Sequence, residues 1–247
     1  MKDLSDSEKL RINYNNYYDS CISEWRQLGA IDKANNIISC CNDYPHKNIL
    51  EIGAGDGSIL KRLDELKFGN SLYALEISKS AVSAIHKQEI RSLVECDLFD
   101  GYNLPYSDKQ FDLVILSHVV EHLEHPRKIL YEASRVSKYV FVEVPLQDTI
   151  RLKDEYIFDK VGHINFYSFK TIKLLLLTCD LDVLSQKITI PSYKVHKYSM
   201  GKKAIIIYPM LKLFLKISPK ISSSVLPYGC VLLCKSKMPL GQIEQGQ

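Results

Sequence analysis

The spacing of apolar and polar residues changes period several times along the chain. Short apolar-rich runs, "NILEIG" (48–53), "SLYALEIS" (71–78), "SLVECD" (92–97), "FDLVILS" (111–117) and "KYVFVEV" (138–144), read as strands. Between them lie segments of helical spacing. "SILKRLDEL" (58–66) gathers Ile59, Leu60, Leu63 and Leu66, "SAVSAIHKQ" (80–88) follows the second strand, and Ile129, Leu130, Ala133 and Val136 form one face after Pro126, a proline that a first helical turn tolerates. "FDLVILS" lacks polar alternation, as a central parallel strand does when both its faces are covered. Strands alternating with helices predict right-handed crossovers and a doubly wound, mostly parallel α/β sheet with helices on both faces.

The two ends differ from this core. Residues 1–45 read as polar helix with Tyr14, Tyr17, Tyr18 and Trp25 interspersed, stopped at "DYPH" (43–46), and are expected to form a helical lid. Tyr14 and Tyr18 share a helical face and are candidates to close over a bound cofactor, plain packing being the alternative. Beyond the core, Ser168 is placed to cap helix "FKTIKLLLLTC", and "LDVLSQKITI" (181–190) and "YGCVLLCKS" (228–236) read as the last two strands. The predicted division is a lid (1–45), a core (46–190), an insertion (191–227), the last core strand (228–236) and a flexible tail (237–247).

The insertion holds seven lysines and no acid. Residues 204–217 are mainly apolar, and Lys212, Lys216 and Lys220 recur every four residues, which on one helix makes a narrow charged stripe. Such a helix must bury a wide face against its own core, a second subunit or a membrane surface. A homodimer contact or a substrate contact is expected here, and Lys194, His196, Lys197, Lys202 and Lys203 suit a phosphorylated substrate or a nucleotide diphosphate.

Composition narrows the classes. With 247 residues, 46% of them hydrophobic, the chain can bury one large α/β core. A formal charge of +3 is too small and too dispersed to argue for nucleic acid. The start, "MKDLSDSEKL", has no secretory apolar region, so a cytoplasmic protein is expected. Cys21, Cys40, Cys41, Cys96, Cys179, Cys230 and Cys234 are odd in number without CxxC spacing, which suggests neither a disulfide framework nor a zinc site. No compact metal motif is visible, no metal is expected, and no stretch has the apolar length of a membrane span.

The chemistry concentrates in "ILEIGAGDGSIL" (49–60). Three glycines on alternate positions, Gly53, Gly55 and Gly57, mark a turn that needs positive φ or lets a ligand approach the backbone. In a doubly wound sheet this turn lies at the carboxyl end of the first strand, where nucleoside ligands bind. The order differs from the dinucleotide fingerprint, since Ser58 stands where its third glycine belongs. Glu76 ends the second strand about twenty residues on, at the position of a ribose-binding acid, a contact that NAD and S-adenosylmethionine both need. Asp97 ends the third strand and can hold an exocyclic adenine amine, with Leu98 or Phe99 against the ring.

Taken in order, "ILEIGAGDGSIL", "LYALEIS", "VECDL", "FDLVILSHVVEHLEHP" and "VFVEVP" resemble the class I S-adenosylmethionine-dependent methyltransferases, in the small-molecule branch that includes ubiquinone-type O-methyltransferases. The resemblance covers roughly residues 47–190 and implies a seven-stranded Rossmann-like sheet with an antiparallel last strand. It also implies S-adenosyl-L-methionine as cofactor and S-adenosyl-L-homocysteine as product. Glu51, Gly53, Ala54, Gly55 and Gly57 would cradle the methionine part, Glu76 and Ile77 the ribose, and Asp97 and Leu98 the adenine, while Ser117 and His118 line the methionine end.

Methyl transfer from a sulfonium asks the protein chiefly to align a nucleophile, and an alcohol nucleophile benefits from a base. The resemblance puts "EHL" and "GHINFYS" beside the substrate pocket. His163 is therefore the first candidate base and His122 the second, with Glu121 orienting a histidine or the substrate; backbone-bonded structural histidines are the alternative. The pattern is similar to enzymes that decorate surface-polysaccharide sugars, which implies O-methylation of a small molecule such as a nucleotide-linked sugar. Other readings stay open: an RNA or protein methyltransferase, an NAD-dependent oxidoreductase disfavoured by the glycine spacing, and a cofactor-binding protein without turnover. A DNA enzyme is disfavoured because no cysteine follows a proline and "SHVVEH" replaces an Asp/Asn-Pro-Pro-Tyr motif.

Overall fold

A computed structural model describes residues 24–153, 155 and 162–237. Strands β1 (Asn48–Ile52), β2 (Ser71–Glu76), β3 (Leu93–Leu98), β4 (Phe111–Ser117), β5 (Ser137–Leu146), β6 (Leu181–Thr189) and β7 (Tyr228–Ser236) form one sheet in the order β3-β2-β1-β4-β5-β7-β6. The first five pair in parallel, whereas β7 runs antiparallel between β5 and β6. Successive strands leave β1 in opposite directions, so a crevice opens at the carboxyl ends of β1 and β4.

Helices α1 (Glu24–Cys41), α2 (Ser58–Glu65) and α3 (Lys79–Lys87) cover one face of the sheet, and α4 (Pro126–Val136) and α5 (Phe169–Leu177) cover the other. Strand alternation sorts side chains between them. Leu113 and Ile115 of β4 pack with Ala34, Ile37, Leu60 and Ile85, whereas Val114 and Leu116 pack with Ile129, Leu130 and Ile172. Every residue of β4 is buried, which explains its unbroken apolar run. Ser78 accepts a bond from the Ala81 N–H to start α3, and Ser168 and Thr171 close a reciprocal capping box at α5.

Helix α1 belongs to the core as well as to the binding edge. Ala30, Ala34, Ile37, Cys40 and Cys41 are buried against the sheet, and the six described cysteines are all buried and unpaired. Tyr14 and Tyr18 lie outside the described residues, so the part of the lid that they belong to is not compared with its expectation.

The insertion folds as α6 (Tyr193–Met200), α7 (Ala204–Ile217) and α8 (Pro219–Val225). One expectation needs correction here: Lys212, Lys216 and Lys220 do not share a helix. Ser218 leaves helical geometry at φ −149° and ψ 87°, and Pro219, which has no N–H to extend α7, opens α8 instead. The stripe on α7 is therefore Lys212 and Lys216 alone.

Candidate active site

The glycine turn joins β1 to α2, and Gly53, Gly55 and Gly57 all have positive φ, at 70°, 60° and 79°. The space beside two of them is filled by protein. A Cβ on Gly53 would come within 2.6 Å of Val119 Cγ2, and one on Gly57 within 3.0 Å of Ile85 Cγ1. Close approach by a ligand is thus not what excludes side chains at these two positions. Gly53→Ala is expected to cost about 2 kcal/mol or more, combining left-handed strain with overpacking. Urea unfolding of Gly53→Ala beside Gly53→Ala/Val119→Ala checks this: the second change should return the packing part and leave the backbone part.

Glu76, at the end of β2, closes the turn. Its Oε1 accepts from Gly55 N–H at 2.6 Å and its Oε2 from Ile77 N–H at 2.8 Å, and the residue is 5% exposed. Burial raises its pKa, and the backbone donors Gly55, Ile77 and Ser78 offset this only in part. A carboxylate has about four acceptor sites, so beside the three backbone donors about one remains for a hydroxyl. On the adjacent strand Leu98 stands opposite Glu76 and Asp97 opposite Leu75. Asp97 and Leu98 are exposed and Ile77 half-buried at the same edge. Asp97 also raises the pKa of Glu95, chiefly by hydrogen bonding to it, so the two share a face of β3.

Glu51 projects from β1 and Glu143 from β5, with β4 between the two strands. Glu143 accepts from Asn36 Nδ2 at 2.8 Å and from Ser117 Oγ at 2.7 Å, which commits the Ser117 hydroxyl to the sheet. Asp56 accepts from Ser58 Oγ at 2.6 Å and pairs with Arg26 at 3.5 Å, tying α1 to the glycine turn. Glu51 is 1% exposed, and its Oε2 has no hydrogen-bond partner. Burial pushes its carboxyl well above the ordinary range, Lys33 opposes this, and Glu76, Asp56 and Glu143 add to it.

This shift has a stability consequence. The folded state holds the Glu51 proton more tightly than the unfolded chain, so the residue costs little near pH 4 and progressively more as pH rises through the raised value. Glu51→Gln is expected to stabilise the protein at about pH 8 and to change it little near pH 4. Urea denaturation at both values checks the sign, and equal effects at the two would refute the linkage.

A second group gathers after β4. His118 adopts φ 58°, a left-handed conformation uncommon for a residue with a side chain, while its N–H bonds to Glu143 O at 2.8 Å. Glu121 follows in a 3₁₀ turn (Val120–His122) and is fully buried. His118 Nδ1 lies 3.1 Å from Glu121 Oε1. Burial acts to raise the Glu121 pKa, but the imidazoles of His118 and His122 outweigh it and hold the carboxyl below its ordinary value.

His163 arrives from the loop after β5. Its Nδ1 is 2.8 Å from Gln147 Oε1, its Nε2 is 4.0 Å from Glu121 Oε1, and its ring centroid is 4.7 Å from that of His122. His122 Nδ1 contacts Gly162 O at 3.1 Å, and the N–H groups of Ile164 and Asn165 bond to Glu121 O. The loop is thereby pinned to the 3₁₀ turn. Glu121, His122 and His163 each offer a ligating atom within 4.8 Å of the others, a spacing that a divalent cation can use.

Sequence reasoning named Glu121, His122 and His163 but passed over Asn36, Asp56, Gln147 and Glu143. Only Glu143 carried a signal, an acid inside the apolar run "VFVEV". A surface recess of about 510 Å³ lined by Lys61, Asp64, Glu65, Lys67 and Arg91 lies past the end of α2, at the opposite edge of the sheet, and belongs to neither group.

Sheet order, glycine turn and strand-end acids together define a Rossmann-like protein of the class I methyltransferase type. Comparison with known proteins agrees: residues 50–139 match the family described as a methyltransferase domain. It is 28% identical over 127 residues to an uncharacterised protein of Methanocaldococcus jannaschii, covering 51% of this chain and 57% of that one. It is also 28% identical over 137 residues to ajmaline N-methyltransferase of Rauvolfia serpentina, covering 49% and 47%. The match thus spans about half the length of these relatives.

Among solved structures, geranyl diphosphate C-methyltransferase from Streptomyces coelicolor, in complex with S-adenosyl-L-homocysteine, superposes with a TM-score of 0.64 at 10% identity, over 95% of this chain and 98% of that one. Phosphoethanolamine N-methyltransferase 2 of Haemonchus contortus, in complex with S-adenosyl-L-methionine, gives 0.61 at 13% identity, over 91% and 60%. At these identities the likeness is one of fold. Among the described residues, no helix is long and apolar enough to cross a membrane.

Proposed function

We propose that this protein transfers a methyl group from S-adenosyl-L-methionine to a small-molecule acceptor, most simply to a hydroxyl oxygen. The observation that carries the reading is the convergence of Glu76, the Gly53–Gly57 turn and Asp97 at adjoining strand ends beside the topological switch point. In this reading Glu76 receives a ribose hydroxyl, Asp97 and Leu98 meet the adenine, and the turn with Glu51, Ala54 and Ile77 surrounds the rest. Ser117 acts from behind, through its bond to Glu143, and His118 bounds the methionine end.

The cofactor supplies an activated methyl on a sulfonium, and the chain supplies alignment and a proton acceptor. The acceptor oxygen forms its bond to the methyl carbon as the carbon–sulfur bond breaks, leaving a neutral thioether and an oxygen whose proton must go elsewhere. His163 is the proposed acceptor of that proton. Its Nδ1 contact with Gln147 Oε1 suits an Nδ1–H donor, so Nε2 is the nitrogen proposed to take the proton, and the Glu121 carboxylate would stabilise the imidazolium that forms. His122 is the alternative acceptor in the same cluster.

A sugar hydroxyl, on a nucleotide-linked sugar destined for a surface polysaccharide, is the finer form of this proposal. The lysines of residues 191–227 support an acceptor that carries phosphate. Calorimetric titration with S-adenosyl-L-homocysteine, with NAD as control, tests the reading. Micromolar binding of the first and none of the second is the expected result, and the reverse would overturn it.

A further inference from the structure

Helix α7 presents an unusual outer surface. Ala204 is its only buried residue, and Leu211 and Leu215 pack inward against the core. Opposite them Ile206, Met210, Leu213 and Ile217 recur at helical spacing with 67%, 63%, 59% and 71% of their surface exposed, and Ile205 on α7 and Ile221 on α8 are exposed as well, at 61% and 58%. A continuous apolar strip of this kind on a folded surface marks a contact. Lys212 and Lys216 flank it, Lys202 and Lys203 precede it, and residues 191–227 contain seven lysines with no acid.

We infer that α7 and α8 lie in the interfacial plane of an anionic bilayer, with the apolar strip in the acyl boundary and the lysines at the headgroups. Charge decides between the occupants. An isologous contact with a second copy sets the same surface against itself, so lysines would meet lysines with no acid in the segment to pair them. An anionic lipid surface supplies the missing negative charge and an apolar phase together, as interfacial helices require.

The position of this surface bears on the acceptor. Tyr228 Oη donates to Leu211 O at 3.2 Å, Tyr228 stands opposite Leu146 at the carboxyl end of β5, and Ile150 N–H bonds to Ser224 O at 2.9 Å. Helices α7 and α8 are thus anchored at the same strand-end edge as Gln147 and His163. A docked protein therefore holds its candidate active site at the membrane surface, where an amphiphilic acceptor with its hydroxyl in the headgroup layer can reach it. That consequence for the acceptor rests on the methyl-transfer reading, whereas docking does not.

The test is co-sedimentation of the full chain with vesicles of phosphatidylcholine alone and of phosphatidylcholine mixed with phosphatidylglycerol. Partition onto the anionic vesicles is expected, falling as salt is raised. Ile206→Ser/Met210→Ser/Leu213→Ser/Ile217→Ser should reduce it about a hundredfold, and Lys212→Gln/Lys216→Gln about tenfold or more. Unchanged circular dichroism and S-adenosyl-L-homocysteine affinity in the variants would show that the fold is intact. Failure to bind anionic vesicles, binding that survives the serine substitutions, or a dimer in light scattering that those substitutions dissociate would each overturn the inference. Cofactor binding without vesicle binding defeats the docking alone, and vesicle binding without cofactor binding defeats the methyl-transfer reading alone.

Discussion

Glu76→Ala is expected to weaken S-adenosyl-L-homocysteine binding by about 100-fold or more. A hydrogen bond to a charged group is worth about 1.5–3 kcal/mol, and at 1.4 kcal/mol per factor of ten the loss of a ribose hydroxyl contact together with loosening of the turn accounts for the effect. The substitution also strands the Gly55 and Ile77 N–H groups that now donate to the carboxylate, so the turn loses its fixed shape together with its ligand contact. Glu76→Gln retains an acceptor oxygen and should lose less. Calorimetry on both variants, with circular dichroism to confirm folding, separates the contact from collapse of the turn; an unchanged Kd in the alanine variant would remove Glu76 from the site.

His163→Ala is expected to lower kcat by about 100-fold or more while leaving S-adenosyl-L-homocysteine affinity within about twofold, because proton transfer by a positioned base contributes 10²–10⁴. The contrast with Glu76 tests the division of labour: one residue acts on the cofactor, the other on the acceptor. Loss of packing alone could also lower turnover, since His163 touches Gln147 and neighbours His122. Added imidazole distinguishes the two, because it restores a missing base and does not repair a displaced loop. Full turnover in His163→Ala would pass the role to His122, and the same loss with His122→Ala and no imidazole rescue in either would make both residues structural.

These two residues also mark how far sequence carries. The strands and the glycine turn were legible because their signals are local: apolar runs of strand length, alternation that matches two covered faces, and a glycine spacing that few backbones need. The position of Glu76 at the end of β2 was legible for the same reason, since a strand's last residue in a doubly wound sheet lies on the binding edge by topology, and Asp97 lies one residue short of the end of β3. The reason for Gly53 and Gly57 was not, because it is the proximity of Val119 and Ile85, residues far away in the chain.

The helical character and apolar content of α7, the capping of α5 by Ser168 and the doubly wound sheet followed from local spacing and periodicity, while the antiparallel last strand came from the family resemblance. Tertiary structure decided what those elements meet. It brought Glu143 to Asn36 and Ser117 across 107 and 26 residues, joined His163 to Glu121, and turned the apolar strip of α7 outward instead of inward. Such pairings depend on which faces the packed core leaves open, and a pattern read along the chain does not contain that choice.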